Sequence, residues 1–298
     1  MKQTFDCVII GAGIAGMTAA IYLKRANKKV VLVEKEILGG LINKTSAVEN
    51  YPGFIKIDGP SLVMNVYNQI QELKIPIIYD EVIDVLNNQE KIVYLKNNDS
   101  LDTKAIIIST GRIPRTLGIP KEKELLGHGI SYCALCDGTF FKNKDVCVIG
   151  GGNSALEESY YLSNICHKVT IVNRSNQLRA DTALVDQINT KDNVQILLNS
   201  KVEEIHGKDK LESVTINGNN ISCEGLFIYI GLDPNIDYLK NLNLENDKGY
   251  IIVDKDMKTS LEGIYACGDS IKKSVYQIIT AASEGAIAAI SVEKYLRD

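Results

Sequence analysis

The chain of 298 residues lacks the features that mark several classes of protein. It has no run of about 18 to 20 apolar residues, the length needed to span a bilayer; its most helix-like apolar stretch, residues 281–290, contains Glu284. It also has no long basic run, because Lys and Arg number 33 against 37 Asp and Glu, for a formal net charge of -4. We therefore expect neither a membrane protein nor a partner of nucleic acid.

Histidine is scarce, which limits metal and acid–base chemistry. The three histidines are His128, His167 and His206, and none pairs with cysteines at the spacing of a zinc site. We therefore expect no structural metal. Because no histidine follows His206, the C-terminal part of the chain provides no histidine base.

Cysteine does not occur in the dense, even pattern of small secreted proteins. The seven cysteines are spread over the whole chain, which favours a reducing compartment. The first residues run directly into an apolar strand, without the apolar core and cleavage site of a signal peptide. We therefore expect a cytoplasmic protein. Five cysteines lie singly in apolar or strand-like surroundings and are expected to be small buried hydrophobes: Cys7, Cys147, Cys166, Cys223 and Cys267.

A glycine-rich turn near the start of the chain lies within a predicted βαβ unit. Its glycines, Gly11, Gly13 and Gly16, follow an apolar strand and precede a helical pattern and a second strand that ends at Glu34. Such glycines let the backbone approach a pyrophosphate at the helix N-terminus, and the acidic residue accepts hydrogen bonds from a ribose. The turn is predicted to bind a dinucleotide; the alternative is a tight turn that binds nothing.

The same order of elements recurs from residue 144. A strand leads into a second glycine turn, and a helix and a strand ending at Asn173 follow. Asn173 follows Gly150 at the spacing at which Glu34 follows Gly11, so chance similarity is less credible. The nucleotide contacts expected at this second turn are Gly150, Gly152, Asn153, Ser154 and Ala155.

A segment near 112–118, which contains Pro114, and a segment near 235–242, which follows the turn at Pro234, indicate where the chain crosses between two domains. Short strands and turns lie between the two βαβ units, and the C-terminal helical pattern is expected to return to the first domain. We therefore predict an α/β fold with two Rossmann-like nucleotide-binding domains. The first domain is expected to comprise residues 1–113 and 242–298, and the second, residues 114–241.

A cysteine pair, Cys133 and Cys136, lies between the two turns and is followed by Asp137. Cysteines at this spacing can close a small disulfide ring and exchange it with another disulfide. Half of a zinc site is a competing explanation, but no second pair completes it, and an idle pair is another. Asp137 is the nearest titratable group for moving a proton as a thiolate forms or leaves, although it could simply cap a helix.

Together these motifs resemble those of the low-molecular-weight thioredoxin reductases, which are class II pyridine nucleotide-disulfide oxidoreductases. The resemblance covers essentially the whole chain and includes residues 49–54 (ENYPGF), 131–138 (SYCALCDG) and Gly268-Asp269. It implies FAD in the first domain, NADPH in the second and a homodimer. It also implies thioredoxin or a thioredoxin-like protein as the substrate.

The resemblance further implies roles for particular residues. Cys136 would face the flavin, Cys133 would attack the substrate disulfide, and Asp137 would act as the acid. Rotation of one domain against the other would let the nicotinamide and the dithiol reach the flavin in turn. The implied FAD contacts are Gly11, Gly13, Gly16, Glu34, Asn50, Gly268, Asp269 and Gln277.

The second nucleotide site departs from the family pattern. Where NADPH-specific members carry His-Arg-Arg and a further Arg, this chain has Asn173, Arg174, Ser175 and Arg179. Two arginines remain to bind a 2′-phosphate. Asn173 is not the acidic residue expected of an NADH site. We therefore expect NADPH with weakened discrimination.

The part of the chain that the resemblance assigns to FAD also departs from the family pattern, because the family's Arg-Gln pair is Tyr276-Gln277 here. Tyr276 is expected either to stack on a flavin or to pack against the protein.

A ferredoxin-dependent flavin thioredoxin reductase is the second candidate for the function, since some relatives have lost the nicotinamide motifs; the intact turn at 150–155 argues against it. A flavin redox-sensing module without turnover is the third, and the intact Cys133, Cys136 and Asp137 argue against it.

Overall fold

Apolar, β-branched runs in both halves of the chain form parallel strands that are buried on both faces. The computed structural model describes residues 3–45, 47–88 and 90–297. Met1 and Lys2, on which the argument against a signal peptide partly depends, lie outside the described residues. The chain divides into unit 1, Met1–Ile113 with Asp233–Asp298, and unit 2, Pro114–Leu232.

Unit 1 is built from both ends of the chain. Its N-terminal part contains β1 (Gln3–Ile10), α1 (Ile14–Arg25), β2 (Val30–Glu34), α2 (Gly59–Glu72), β3 (Ile77–Tyr79), β4 (Val82–Asn87), β5 (Lys91–Leu95) and β6 (Ser100–Ile108). A short strand, β7 (Arg112–Pro114), follows where the chain leaves this unit.

Unit 2 is continuous in sequence. It contains β8 (Ile130–Ser131), α3 (Ala134–Asp137), β9 (Asp145–Ile149), α4 (Asn153–Ser163), β10 (Lys168–Val172), α5 (Thr182–Asn189), β11 (Val194–Leu197), β12 (Val202–Gly207), β13 (Leu211–Ile216), β14 (Asn219–Ser222) and β15 (Gly225–Ile228). The chain then returns to unit 1 through β16 (Leu232–Pro234), β17 (Asn246–Asp247), β18 (Tyr250–Ile251), β19 (Ile264–Ala266) and α6 (Ile278–Tyr295).

The main sheet of unit 1 has the strand order β3-β2-β1-β6-β5-β4, and β19 pairs with β6. Strand β1 lies at the centre, parallel to both neighbours, with Cys7 opposite Val30 on one side and Ala105 on the other. Consecutive strands therefore run to opposite sides of β1, which is the point where open α/β sheets bind ligands. The glycine turn follows β1 at this point.

The sheet of unit 2 has the order β11-β10-β9-β15-β8, with parallel pairing throughout. The second glycine turn follows β9, Asn173 follows β10, and the dithiol follows β8, so all three lie at the carboxyl edge of the sheet. A separate antiparallel sheet, β12-β13-β14, packs in the same unit. The predicted α/β fold with two Rossmann-like units is confirmed.

Residues 233–241 belong to unit 1, whereas the sequence places them in the second domain. The Asn235 N–H donates to the Gly111 carbonyl at 3.0 Å, and the Asn235 carbonyl accepts from Thr110 Oγ1 at 2.6 Å. Leu239 and Leu242 are buried in the same apolar core as Val85 of β4. The chain therefore returns to unit 1 at Asp233, because Leu239 and Leu242 are buried in the core of that unit.

The five single cysteines are free thiols and are buried, as the sequence predicts. Burial raises the pKa of the Cys166 thiol to about 11 and raises the pKa values of Cys7 and Cys267 further. These thiols are therefore protonated at neutral pH and are poor nucleophiles.

Among the described residues, no helix is long and apolar enough to cross a membrane.

Helices α1 and α6 approach each other closely at a single glycine. A β-carbon placed on Gly285 would lie 2.2 Å from the carbonyl oxygen of Ala15, a backbone atom that cannot rotate away. The contact lets α6 cover the helix that follows the first glycine turn. Gly285 therefore fixes how the C-terminal segment packs in unit 1.

We expect Gly285→Ala to lower the free energy of unfolding by about 1 kcal/mol. Overpacking costs about 1–3 kcal/mol, and the better helix propensity of alanine offsets about 1 kcal/mol of this. Urea unfolding would measure the change, with Ser283→Ala, at an exposed position of the same helix, as the control. Stability equal to or above that of the wild type would contradict the packing assigned to Gly285.

Candidate active site

The first glycine turn is shaped by close contacts between backbone segments. A β-carbon on Gly11, where φ is +97°, would lie 2.6 Å from the Ser109 carbonyl, and one on Gly16 would lie 2.0 Å from the Gly11 carbonyl. Gly13 differs, because a β-carbon there would meet open space. It precedes α1 without a side-chain cap, so no side chain of the described residues accepts from the first N–H groups of the helix. This geometry fits a pyrophosphate.

Glu34, at the end of β2, contacts the turn directly. Its Oε2 accepts from the Ala12 N–H at 2.8 Å, and its Oε1 accepts from the Glu36 N–H at 2.9 Å. Each carboxylate oxygen can accept a further hydrogen bond. Glu34 lines a cleft with Gly11 and Tyr238, so it can still accept a bond from a ribose hydroxyl.

Asp269 belongs to a charge cluster that the sequence did not reveal. Its Oδ2 pairs with Arg112 Nη2 at 2.8 Å, and its Oδ1 pairs with Lys273 Nζ at 3.2 Å. Lys273 Nζ also lies 2.8 Å from Glu284 Oε2, which accepts from the Gly268 N–H at 2.9 Å. Burial raises the pKa of Glu284, and Lys273 opposes that shift. The cluster thus holds Gly268 and Asp269 in place.

The ring of Tyr276 packs against cations of this cluster. The Arg112 guanidinium carbon lies 4.2 Å from the ring centroid, and Lys273 Nζ lies 5.3 Å from it. Tyr276 thus packs against these two side chains, and its stacking on a flavin stays a prediction. The next residue, Gln277, accepts from Asn50 Nδ2 at 3.1 Å, which brings together two of the residues implied for FAD.

A positive charge is therefore present beside position 276 although the family's arginine is absent. It comes from Arg112, which is distant in sequence from both Tyr276 and Asp269. The Arg112 Nε is buried and has no hydrogen-bond partner among the described residues. Only the i,i+4 spacing of Asp269 and Lys273 could have suggested part of this cluster from the sequence.

In unit 2, Cys133 and Cys136 form a disulfide with an S–S distance of 2.05 Å. Cys133 immediately precedes α3, and its Sγ accepts from the Cys136 N–H at 3.2 Å. The two cysteines differ in accessibility, since Cys133 is 5% exposed and Cys136 is an exposed residue. The two sulfurs are therefore chemically distinct.

Two hydroxyl groups hold the backbone of the dithiol turn. Ser131 Oγ accepts from the Cys133 N–H at 3.0 Å and donates to Asp137 Oδ2 at 2.6 Å. The Tyr229 hydroxyl oxygen accepts from the Ala134 N–H at 2.7 Å. Sequence reasoning assigned no role to Ser131 or Tyr229. Tyr229 lies too far along the chain for any local pattern to find it.

The second glycine turn is also shaped by close backbone contacts. A β-carbon on Gly150, where φ is +140°, would lie 2.3 Å from the Tyr229 carbonyl oxygen. Gly152 precedes α4, which begins one residue before the predicted Ser154, and a β-carbon there would meet open space. Ser154 is exposed on the first turn of this helix, whereas Ala155 is buried.

Asn173 shapes the loop that carries the two arginines. It is buried, and its Nδ2 donates to the Ser175 carbonyl at 3.2 Å and to the Gln177 carbonyl at 2.8 Å. The Arg179 N–H donates to the Gly151 carbonyl at 2.6 Å, which ties the loop to the turn. Asn173 thus acts on the backbone of the loop.

The arginines themselves are exposed. Within the described part of the chain, neither the Arg174 nor the Arg179 guanidinium has a hydrogen-bond or ion-pair partner, so both can bind an anion. Asn153 is already engaged, because its Nδ2 donates to Asp181 Oδ2 at 2.8 Å and its Oδ1 accepts from the Asp181 N–H at 2.9 Å.

Comparisons with known proteins agree with this geometry. The family model described as pyridine nucleotide-disulphide oxidoreductase matches residues 5–285. The chain belongs to this family, whose members use a flavin and a pyridine nucleotide.

Within the family, the chain is similar to thioredoxin reductases. It is 40% identical to the thioredoxin reductase of Bacillus subtilis, over 100% of this chain and 96% of that protein. The crystal structure of Lactococcus lactis thioredoxin reductase in its FR conformation has a TM-score of 0.90 and 38% identity, and covers 98% of this chain and 99% of that one. Thioredoxin reductase from T. acidophilum has a TM-score of 0.87 and 35% identity, with the same coverage.

We expect Lys273→Met to lower the free energy of unfolding by about 3 kcal/mol, because it leaves two largely buried carboxylates with one cation. Lys272→Met is the matched control. Lys272 pairs with Asp247 at 2.6 Å, but both groups are solvent-exposed, so we expect no measurable change. Urea unfolding of both variants tests the expectation, and equal stabilities would contradict it.

Proposed function

We propose that the chain is a flavoprotein disulfide reductase that passes electrons from NADPH through FAD and the Cys133/Cys136 pair to thioredoxin. In the net reaction, NADPH, one proton and the thioredoxin disulfide give NADP⁺ and two thiols. The observation that carries the proposal is the disulfide between Cys133 and Cys136, held in a unit that also contains a nucleotide-type glycine turn. Similarity to thioredoxin reductases over the whole chain supports the substrate.

FAD is proposed to bind in unit 1, where it supplies the two-electron chemistry and the protein supplies position and charge. Support comes from the close-packed glycine turn, the open space at Gly13 and the unpartnered Nε of Arg112. The residues proposed to hold it are Gly11, Gly13, Gly16, Glu34, Asn50, Gly268, Asp269 and Gln277.

The two sulfurs are proposed to have different roles. Cys136 is exposed and accepts the electrons, so the S–S bond breaks with Cys133 leaving as a thiolate. The Cys136 N–H, 3.2 Å from Cys133 Sγ, favours that thiolate. Cys133 then attacks the thioredoxin disulfide, and its low exposure means that the turn must open to admit a protein substrate. Asp137, oriented by Ser131, supplies the proton.

NADPH is proposed to bind in unit 2. Gly150, Gly152, Asn153, Ser154 and Ala155 would contact the pyrophosphate, and Arg174 and Arg179 would contact the 2′-phosphate. Support comes from the exposure of both guanidinium groups and from the hydrogen bond that fixes Arg179 beside Gly151. The absence of an acidic side chain at Asn173 removes a contact that would favour NADH.

We further propose that the protein works as a homodimer in the cytoplasm. The resemblance to low-molecular-weight thioredoxin reductases supports the dimer. Five buried free thiols are consistent with a reducing compartment.

We expect Cys136→Ser to abolish thioredoxin-dependent oxidation of NADPH while leaving Cys133 able to form a mixed disulfide with thioredoxin. Cys133→Ser should abolish both. Cys166→Ser, at a buried free thiol, is the control and should retain turnover. Absorbance at the NADPH band and mass spectrometry of the trapped complex measure the two outcomes. Turnover by the Cys136→Ser variant would refute the role of the pair.

We expect Arg174→Met and Arg179→Met each to raise the KM for NADPH about tenfold, because each removes a charge-assisted hydrogen bond worth about 1.5 kcal/mol. The KM for NADH should be unchanged, and Lys201→Met, at another exposed cation of unit 2, should alter neither value. Steady-state kinetics with both nucleotides test this. A wild-type preference for NADH, or equal effects on both nucleotides, would rule out the phosphate site.

A further inference from the structure

Tyr229, which directly follows the core strand β15, contacts the dithiol turn through its hydroxyl. It accepts the Ala134 N–H at 2.7 Å, at the first residue of α3 and between the two redox cysteines. Ala134 is fully buried, so water cannot replace this acceptor. The N–H group of Ala134 is therefore satisfied by one side chain from a distant part of the chain.

The backbone of Tyr229 is itself fixed. Its N–H donates to the Ile149 carbonyl at 2.7 Å, which continues the pairing of β15 with β9. Its carbonyl lies against Gly150, where a β-carbon would approach to 2.3 Å. The phenol thus extends from a rigid point beside the second glycine turn to the dithiol turn.

The phenol keeps its proton. Burial, together with the negative charges of Glu158 and Asp137, raises the pKa of Tyr229. The oxygen is therefore a neutral acceptor at neutral pH. Its bond to Ala134 adds no charge next to the disulfide.

We propose that Tyr229 is a positioning residue of the dithiol: its hydroxyl fixes the start of α3 and thereby stabilises the disulfide form of Cys133 and Cys136. The inference rests on the proposed function only in taking this pair as the redox centre.

The geometry explains why the disulfide form benefits more than the dithiol. The closed ring holds the two Cα atoms 5.3 Å apart, so the backbone between them cannot turn to find another acceptor. Without the hydroxyl, the Ala134 N–H would be buried and unsatisfied. Reduction opens the ring and frees the turn, so the same N–H is then no longer held on the hydroxyl and can turn towards water.

Tyr229→Phe removes the hydroxyl and keeps the ring that packs in the core of unit 2. We expect the equilibrium between disulfide and dithiol, measured in the flavin-loaded protein at defined ratios of oxidised to reduced dithiothreitol, to shift about tenfold towards the dithiol. That shift raises the midpoint potential by about 30 mV. Thiol alkylation and mass spectrometry report the fraction reduced. Hydrogen exchange of the Ala134 amide should become faster.

Tyr161→Phe is the matched control. Tyr161 packs beside Gly138 in the same core, and its hydroxyl has no hydrogen-bond partner in the described part of the chain, so we expect the wild-type potential. A midpoint potential of Tyr229→Phe within about 10 mV of the wild type, or unchanged exchange at Ala134, would overturn the proposal.

These measurements use no thioredoxin, so the two proposals can fail separately. A shifted potential in a protein that does not reduce thioredoxin would support the role of Tyr229 and reject the proposed substrate. An unshifted potential in a protein that reduces thioredoxin would reject the role of Tyr229 and support the proposed substrate. If Tyr229→Phe does not fold, hydrogen exchange at Ala134 in the wild type decides: protection in the disulfide form that is lost on reduction supports the proposal, and equal protection in both forms overturns it.

Discussion

Parallel pairing of the central strand of each unit is the constraint on which both candidate sites depend. In unit 2, Val148 of β9 lies opposite Ile171 of β10 and Phe227 of β15. In this register, β9, β10 and β15 end at the same edge of the sheet. This register places the glycine turn, the arginine loop and Tyr229 next to one another. The same arrangement around β1 brings Glu34 to the first glycine turn.

Charge is handled differently in the two units. Unit 1 places two cations and two carboxylates in a largely buried cluster around Asp269, and Arg112 supplies the positive charge that position 276 lacks. The dithiol turn of unit 2 is instead held by hydroxyl groups. These hydroxyl groups add no charge of their own beside a centre whose charge changes when a disulfide becomes a thiolate, and the charge at this turn comes from the Asp137 carboxylate, which accepts from Ser131 Oγ at 2.6 Å.

Local patterns were sufficient to predict the two βαβ units, their glycine turns and the cysteine pair, because each is encoded within about 30 contiguous residues. Contacts between distant segments were not predictable. Arg112 meets Asp269 across 157 positions and Tyr229 meets Ala134 across 95, and neither has a spacing rule. The assignment of residues 233–241 to the second domain was wrong for a related reason. A proline turn shows where a chain bends, but the core in which Leu239 is buried decides to which unit the segment belongs.

The central claim is that NADPH reduces the disulfide between Cys133 and Cys136 through bound FAD. Anaerobic titration with NADPH, followed by flavin absorbance and by alkylation of the two cysteines, tests it directly. The account predicts loss of the flavin band and two new thiols, at Cys133 and Cys136. The other five cysteines should be free thiols both before and after the titration. A flavin band and a disulfide that resist NADPH but yield to reduced ferredoxin would contradict it, as would a protein that contains no flavin.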